Sequence, residues 1–274
     1  MIGKVEIDEA KKKRVIEKAG RLGDEVGMKY GACAPATFAS IFEAFRSEGI
    51  EFFSPETQEI IAKGMMGLHA GIAQTGIGTC GGIIGSAFVI AYVVGVTSEE
   101  VSQNFRLNAA ISVPIVEGIM DRFEEVYGAT DCLRLRYNRT QRAFDFCDPD
   151  AMMYELLFFS AQPNKCGMGA DCYECGRDQG MPSVGARWGA EVICDLLNME
   201  PEERKKLPPH LQGYDMETLM PKVQKVADLM KELGLGRPDE KISWREYRTL
   251  KLKGKEGVEE SRPCGVDAPK KDGY

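Results

Sequence analysis

Residues 64–95 are GMMGLHAGIAQTGIGTCGGIIGSAFVIAYVVG, and they hold one cysteine, Cys80, between a glycine-rich approach and an apolar run. Eight glycines lie between Gly64 and Gly85. A continuous helix is not expected there, because glycine loses more backbone entropy in a helix than any other residue. Glycine is used where a chain bends or where other atoms approach closely. We therefore expect a broken, tightly packed segment that becomes helical near Cys80 and holds its thiol against a rigid wall.

The composition is that of an acidic protein with enough apolar residues for a substantial core. The chain has 274 residues, 43% of them hydrophobic, and a formal charge of -7. This charge disfavours nucleic acid or an anionic membrane surface as the main partner. The apolar run from Ile83 to Val96 is shorter than the about 20 residues that cross a bilayer, so we expect no membrane span. The charged N-terminus lacks the apolar core of a secretory signal, and we expect a cytoplasmic location.

Nine cysteines are the unusual feature of the composition. Structural disulfides are disfavoured in a reducing compartment, so a chain with many cysteines more often binds metal, carries a cluster or performs thiol chemistry. A single cysteine taken alone is more often a small buried hydrophobic residue. The set as a whole favours metal or thiol chemistry.

Hydrophobic periodicity and capping signals predict a mainly α-helical fold without strands. The predicted helices cover residues 7–30, a segment with Pro35 in its first turn that ends near Arg46, a segment after Ser54, residues 98–127 with a bend at Pro114, a segment capped by Thr130, and residues 149–159, 184–197 and 215–233. Residues 163–182 are polar, contain glycine and lack periodicity, which predicts a loop.

Four cysteines lie just before a predicted helix or in its first turn. They are Cys33, Cys80, Cys132 and Cys147, and Thr79 is the expected cap of the helix after Cys80. A helix N-terminus offers unpaired N–H groups and a partial positive charge, which lower the pKa of a thiol and favour a bound anion. If the four termini converge, they form a site for thiolates and for the anionic core that the thiolates ligate.

The segments around these cysteines resemble a known family. The segments are YGACAPATF, GTCGGIIG, FEEVYGATDC and FDFC. Their order is similar to that of the C-GCAxxG-C-C family of redox-active proteins, and the resemblance covers about residues 25–155. One departure is that Gly81 follows Cys80, where the family name has alanine.

Members of this family are known mostly from anaerobes, and related domains occur in split-Soret type cytochromes with an iron–sulfur centre. The resemblance therefore implies electron transfer through a [2Fe-2S] or [4Fe-4S] cluster. The residues that it implies as cluster ligands are Cys33, Cys80, Cys132 and Cys147. The haem of those cytochromes is not implied, because glycine instead of histidine follows the pair Cys172 and Cys175.

A second cysteine group lies outside the resemblance. Cys166, Cys172 and Cys175, with Cys194 as a candidate fourth member, form a C-x5-C-x2-C-x18-C series. A Cys-x-x-Cys pair in an irregular loop can reach one ion without strain, so a metal site with iron–sulfur or structural zinc is the first hypothesis. A redox-active dithiol and unligated thiols are the alternatives. The number of thiolates alone does not separate zinc from iron.

Other candidate residues give weaker signals. His69 lies in the glycine-rich approach, where a lone histidine is more often a packing residue than a ligand. Arg134, Arg136, Arg139 and Arg142 could receive an anionic substrate or an acidic partner, but a solvated helix face is the default interpretation of such a series.

These observations predict a mainly α, compact multi-helix domain with a cysteine-bearing loop over residues 1–198 and a C-terminal helical extension and tail over residues 199–274. The leading functional hypothesis is iron–sulfur binding for electron transfer or oxidoreductase chemistry, with a redox partner protein. The alternatives are a metal-free thiol–disulfide oxidoreductase and a zinc-stabilised, non-catalytic subunit of a larger redox complex. Glycine-rich helix faces also predict a homodimer.

Overall fold

A computed structural model describes residues 2–140, 150 and 180–207, together with residues 221, 224, 225, 228 and 229. These residues are mainly helical and form no strand, as the sequence predicted. One isolated antiparallel bridge joins Thr79 to Asp131. Nearly all of the predicted helices at 149–159 and 215–233, and most of the predicted loop at 163–182, lie outside the described residues.

The helices are numbered here in chain order. Their bounds are α1 Glu9–Tyr30, α2 Cys33–Arg46, α3 Pro55–Met65, α4 Gly81–Val94, α5 Ser98–Gln103, α6 Asn108–Ile115, α7 Asp121–Tyr127, α8 Cys132–Thr140, α9 Met181–Leu197 and α10 Pro201–Arg204. Short 3₁₀ turns lie at Met66–Leu68 and Phe105–Leu107, and a π-helical turn lies at Val116–Met120. Within the described ranges, no helix is both long enough and apolar enough to cross a membrane.

The central bundle consists of α1, α2, α4 and α9, and α9 packs against the other three helices. Glycines bring the backbones of these helices into contact. A Cβ added to Gly185 in α9 would lie 2.7 Å from the carbonyl carbon of Gly82 in α4. The Ser86 hydroxyl of α4 donates to the carbonyl oxygens of Gly82, at 2.9 Å, and Gly185, at 2.7 Å. These contacts fix the first turn of α4, which follows Cys80.

The capping signals predict two helix starts correctly. The Ser54 hydroxyl accepts from the backbone N–H of Thr57 at the start of α3. Thr97 and Glu100 form the predicted capping box of α5, in which each side chain accepts from the backbone N–H of the other residue. Local sequence is sufficient here, because both partners of each bond lie within one turn.

The single helix predicted over residues 98–127 is wrong, because the chain is interrupted twice. Asn104 leaves the helical conformation, and its side chain accepts from the N–H of Arg106 to begin a new turn. Asparagine is favoured at such starts because its short side chain can cap N–H groups. The second interruption is the π-helical turn at Val116–Met120, which follows Pro114. Proline cannot donate the hydrogen bond of a regular helix.

The glycine-rich approach contains a left-handed turn. Residues 70–74 all have positive φ, between 46° and 73°, and only Gly71 among them is glycine. The turn is closed by hydrogen bonds from the N–H of Ala73 to the oxygen of Gly67, and from Gly76 to Ala70, both at 2.9 Å. Left-handed conformation costs an L-residue roughly 1–2 kcal/mol. The predicted break in this stretch is therefore confirmed, and it takes the form of a strained turn that ends at Gln74, six positions before Cys80.

We expect Ala73→Gly to raise the free energy of unfolding by about 1 kcal/mol, because glycine adopts positive φ without steric cost. Ala73 is exposed and has a φ of 49°. The matched control is Ala87→Gly in the middle of α4, which should lower the free energy of unfolding by about 1 kcal/mol. Urea denaturation of both variants measures the two values. If both substitutions destabilise the protein, the left-handed turn is absent in solution.

The segment after α9 is held to the bundle by Arg204, whose side chain is 3% exposed. Its guanidinium donates to carbonyl oxygens at distances from 2.7 to 3.5 Å. The acceptors belong to Ile2, Gly3, Val93, Leu196, Leu197 and Met199. One side chain thus joins the N-terminal segment, the end of α4 and the end of α9.

Candidate functional site

Cys33 is the first residue of α2. Gly31 follows the last residue of α1 and is in the left-handed conformation, with a φ of 61°. Ala32 is the one residue between Gly31 and Cys33. Ala32 makes no side-chain capping bond to the first N–H groups of α2. The half-buried Cys33 thiol therefore lies at a helix N-terminus, as the sequence predicted.

Cys80, and not the predicted Thr79, is the N-terminal cap residue of α4. Thr79 takes part in the bridge to Asp131, which holds it in an extended conformation. The Cys80 sulfur accepts no capping hydrogen bond, and the N–H of Ile83 donates to the Cys80 carbonyl oxygen at 3.0 Å. The backbone N–H groups of Gly82 and Ile83 still lower the pKa of the Cys80 thiol. The thiol is thus directed at the positive end of the α4 dipole.

Cys132 is the first residue of α8. The cap of this helix differs from the predicted Thr130: the Asp131 carboxylate accepts from the N–H of Arg134 at 3.0 Å. The Thr130 carbonyl oxygen instead accepts from the N–H of Cys80 at 2.9 Å. The N–H of Cys132 donates to the carbonyl oxygen of Gly78 at 3.0 Å. This short backbone pairing brings Cys80 and Cys132 together from positions far apart in the sequence.

The start of α2 lies against the start of α4. A Cβ added to Gly81 would lie 2.7 Å from the backbone nitrogen of Ala34 and 2.7 Å from the Cβ of Cys33. Glycine is therefore required after Cys80, since any side chain would push Cys33 away. This close contact explains why Gly81 follows Cys80 in this chain, where the C-GCAxxG-C-C motif has alanine.

A further helix start, that of α9, lies at the same place. A Cβ added to Gly82 would overlap the carbonyl oxygen of Met181, the first residue of α9. The Thr37 hydroxyl of α2 also donates to the carbonyl oxygen of Pro182 at 3.4 Å. The sequence did not indicate that the start of α9 lies beside α2 and α4. The predicted start of this helix was Val184, and no cysteine lies at its first turn. The structure thus brings the starts of α2, α4 and α8 close together, and the start of α9 joins them.

Burial dominates the chemistry of the two inner thiols. Cys80 is 1% exposed, and burial together with the neighbouring Cys33 raises its pKa to about 12. Burial also raises the pKa of Cys132, which is 3% exposed, and Cys80 and Cys33 raise it further. Cys33 therefore disfavours ionisation of both inner thiols, and Cys80 disfavours ionisation of Cys132, as expected when sulfurs share one site. In the absence of a compensating cation the two inner thiols stay protonated at neutral pH.

The charge that opposes this effect comes from Arg136. Its guanidinium lowers the pKa of both Cys80 and Cys132. The residue is half-buried, and its Nη1 atom is fully buried. The arginine series predicts a solvated face for both Arg134 and Arg136, but of these two residues only Arg134 is exposed. The difference arises because Arg136 lies one helical turn after Cys132 and so shares its face.

Cys194, the candidate fourth member of the second group, lies elsewhere in the fold. It is fully buried in the hydrophobic core near the end of α9, about 20 Å along the helix from Met181 at a rise of 1.5 Å per residue. Burial raises its pKa to about 12. The other members of that group, Cys166, Cys172 and Cys175, lie outside the described residues, as does Cys147. The second metal site therefore stays a prediction.

His69 and the acidic residues do not complete a mononuclear metal site in the described ranges. No three histidine, cysteine, aspartate or glutamate side chains there lie close enough to hold one metal ion. The Nδ1 atom of His69 instead hydrogen-bonds to the carbonyl oxygen of Met66. This local contact agrees with the prediction of a packing histidine.

A family model described as "Putative redox-active protein (C_GCAxxG_C_C)" matches residues 32–177, which is more than half of the chain. The chain belongs to the C_GCAxxG_C_C family. Comparisons with curated proteins and with solved structures gave no match. The family assignment confirms the resemblance that the four cysteine segments carry, and it supports a redox role for this protein.

The C_GCAxxG_C_C match also corrects the extent of the resemblance. The resemblance carried by the four cysteine segments ends at about residue 155, whereas the match continues to residue 177. Cys166, Cys172 and Cys175 therefore belong to the family region. Cys194 lies beyond the match, in agreement with its separate position in the core of α9.

Proposed function

We propose that this C_GCAxxG_C_C protein binds an iron–sulfur cluster through Cys33, Cys80, Cys132 and Cys147 and transfers electrons to a partner protein. The observation that carries the proposal is the convergence of three of these cysteines at the starts of α2, α4 and α8. They come from distant parts of the sequence, and Cys80 and Cys132 are almost completely buried. A packing role alone requires neither the shared position nor the helix starts.

The donor set fits such a cluster in its chemistry. Iron–sulfur clusters are held by cysteine thiolates, and their potentials depend on hydrogen bonds to the sulfurs and on solvent exposure. The backbone N–H groups of Gly82 and Ile83 and the charge of Arg136 all lower the pKa of the Cys80 thiol. Bound iron would replace the thiol protons, which burial otherwise retains. When bound, the cluster supplies a centre that accepts and releases one electron at a time.

The number of thiolates alone does not separate a cluster from a single zinc ion at this site. No three candidate ligands in the described part of the chain lie close enough to share one ion. The preference for a cluster therefore rests on the redox role of the family.

Burial also disfavours the metal-free thiol–disulfide alternative at Cys80. A thiol that attacks a disulfide must be accessible, and its pKa is best near the ambient pH. Cys80 is 1% exposed, and burial and Cys33 raise its pKa to about 12. The alternative is retained for Cys172 and Cys175, which lie outside the described residues.

Anaerobic purification followed by reconstitution with iron and sulfide tests the proposal. We expect wild-type protein to bind iron and labile sulfide and to show a visible spectrum that reduction bleaches. Cys80→Ser should weaken cluster binding by at least about tenfold, since it removes a ligand. The matched control is Cys194→Ser, which replaces an equally buried cysteine outside the group and should leave the iron content unchanged.

Three results would overturn the proposal. The first is equal iron content in wild-type and Cys80→Ser protein, which would show that Cys80 is not a ligand. The second is colourless, zinc-free protein whose thiols oxidise in pairs, which indicates the thiol–disulfide function. The third is stoichiometric zinc without iron, which indicates a zinc-stabilised subunit. Far-UV circular dichroism of each variant separates loss of the cluster from loss of the fold.

A further inference from the structure

Helix α4 is apolar on all sides, and yet one of its faces is exposed. Its sequence, GGIIGSAFVIAYVV, contains no charged residue, and Ser86 is buried and bonds to backbone oxygens. A helix of this composition is normally buried all round. In the described part of the chain, however, Phe88 is 38% exposed, Tyr92 is 37% exposed and Ile84 is half-buried. These three residues follow each other at intervals of four and form one face, which we call the α4 stripe.

Contacts with the core hold the two rings of the α4 stripe in place. The Phe88 ring packs edge-on against Phe38, with 5.5 Å between the ring centroids. The Tyr92 ring lies 4.1 Å from that of Phe53, and its hydroxyl donates to the carbonyl oxygen of Phe52 at 3.1 Å. Fixed aromatic side chains are typical anchors of interfaces, because they lose little rotamer entropy when a partner binds.

The C-terminal extension contains a segment with an apolar stripe of its own. Residues 215–233 carry apolar residues at intervals of three and four: Met216, Leu219, Val223, Val226, Met230 and Leu233. The described residues of this segment are helical and exposed, and they are Pro221, Gln224, Lys225, Asp228 and Leu229. At about 3.6 residues per turn, the sequence places the apolar residues on the side opposite to Pro221, Gln224, Lys225 and Asp228.

This segment needs a surface on which to pack. The Gln224 amide donates to the Asp228 carboxylate at 2.8 Å, one helical turn away, but such pairs contribute only about 0.2–0.5 kcal/mol. An isolated helix of this length is marginal in water, and most of the stability of a protein helix comes from the packing of its apolar face. The helical state of the described residues therefore indicates that the apolar side is covered.

The chain leaves the bundle beside the end of α4. The Arg204 guanidinium donates to the carbonyl oxygen of Val93, the last residue but one of α4, at 3.2 Å. The Lys205 ammonium donates to the Glu100 carboxylate of α5 at 2.6 Å. Residues 208–214 can span up to about 25 Å when extended, whereas Phe88 lies about 8 Å along the helix from Val93. The segment at 215–233 can therefore reach the α4 stripe.

We propose that residues 215–233 dock with their apolar side on the α4 stripe of the same chain. Both surfaces lack charge, so each can bury the other without desolvating an ion. A short tether gives the segment an effective concentration in the millimolar range. A second copy of the chain carries the same net charge of -7 and must compete with this tethered segment for the stripe.

Limited trypsin digestion of the full chain tests the docking, with or without bound iron. Lys225 is exposed but helical, so cleavage there requires local unfolding and reports the undocked fraction. We expect Met230→Gln to raise the cleavage rate at Lys225 about tenfold. The matched control is Leu229→Gln, which makes the same kind of change at the neighbouring residue, 52% exposed, and should change the rate by less than about twofold. Equal rates in these two variants would overturn the docking.

A second pair of variants tests the α4 stripe as the docking surface. Phe88→Gln should raise cleavage at Lys225 about tenfold, whereas Ile60→Gln, at a residue of α3 that is 69% exposed, should not. Combining Phe88→Gln with Met230→Gln should add less than about twofold, because both remove one contact. Cleavage at Arg187 in α9 is the internal reference, since global unfolding accelerates both sites. Light scattering is the last test: a dimer that Phe88→Gln dissociates, with unchanged cleavage at Lys225, would overturn the proposal in favour of a second copy.

Discussion

Gly81→Ala is expected to weaken cluster binding by about tenfold or more, the effect typical of a lost supporting contact around a metal site. The added Cβ would lie 2.7 Å from both the nitrogen of Ala34 and the Cβ of Cys33. Neither atom can move alone, because the Ala34 nitrogen belongs to the backbone of α2 and the Cβ of Cys33 is attached to the first residue of that helix. The substitution would therefore separate Cys33 from Cys80 without removing any ligand.

The stability of the protein should change less than its binding of iron. Overpacking at a close contact costs typically about 1–3 kcal/mol, which a chain of this size can tolerate. The control is Gly64→Ala in α3, where an added Cβ has no atom within 4 Å and alanine should stabilise the helix by about 1 kcal/mol. Iron content, visible absorbance and urea denaturation are measured on both variants. A full complement of iron in Gly81→Ala would show that the contact between α2 and α4 does not position the ligands.

Arg204→Met should lower the free energy of unfolding by about 3 kcal/mol or more, since buried carbonyl oxygens lose a charged donor and each unsatisfied group costs roughly 1–3 kcal/mol. Arg204 is 3% exposed and bonds to oxygens in the N-terminal segment, at Val93 of α4 and at the end of α9. Methionine fills much of the same space but donates to none of them. The melting temperature should fall by roughly 6–12 °C.

Two further variants show whether the loss comes from the guanidinium geometry. Arg204→Lys keeps the charge but supplies one ammonium group in place of a planar fork, so it should recover only a small part of the stability. Arg14→Met removes an exposed arginine that pairs with Glu48 through two hydrogen bonds, at 3.0 and 2.8 Å. Such surface pairs contribute about 0–1 kcal/mol. Equal effects of Arg14→Met and Arg204→Met would contradict the proposed role of the buried hydrogen bonds.

Arg204 and Arg136 show which kind of residue sequence analysis misses. Arg204 stands in the charged segment PEERKK, and Arg136 stands in a series of arginines that predicts a solvated face. Nothing in the neighbouring sequence distinguishes either residue from an exposed arginine, because their partners lie far away along the chain. One feature of the sequence does indicate where Arg136 lies. It follows Cys132 by four residues, which places the two residues on one helix face.

Local sequence by itself determined the helical class of the described part of the chain, the starts of α3 and α5, and the placement of Cys33, Cys80 and Cys132 at or directly before a helix start. Caps, helix periodicity and glycine breaks act over a few residues, so their partners are visible in the sequence. The sequence also indicated that the glycine-rich approach to Cys80 would be broken, though not that it forms a left-handed turn.

Only the tertiary structure decided which helix starts meet. The backbone pairing of Gly78 with Cys132, the contact of Gly81 with α2 and the contact of Gly82 with Met181 join segments separated by tens of residues. Such contacts depend on how whole helices pack, and local propensity does not encode packing directly. The tertiary structure also decided the electrostatics of the site: burial, a global property of the fold, raises the pKa of Cys80 and Cys132. The glycines around Cys80 are therefore required by close helix packing, which the sequence could indicate only as a local break.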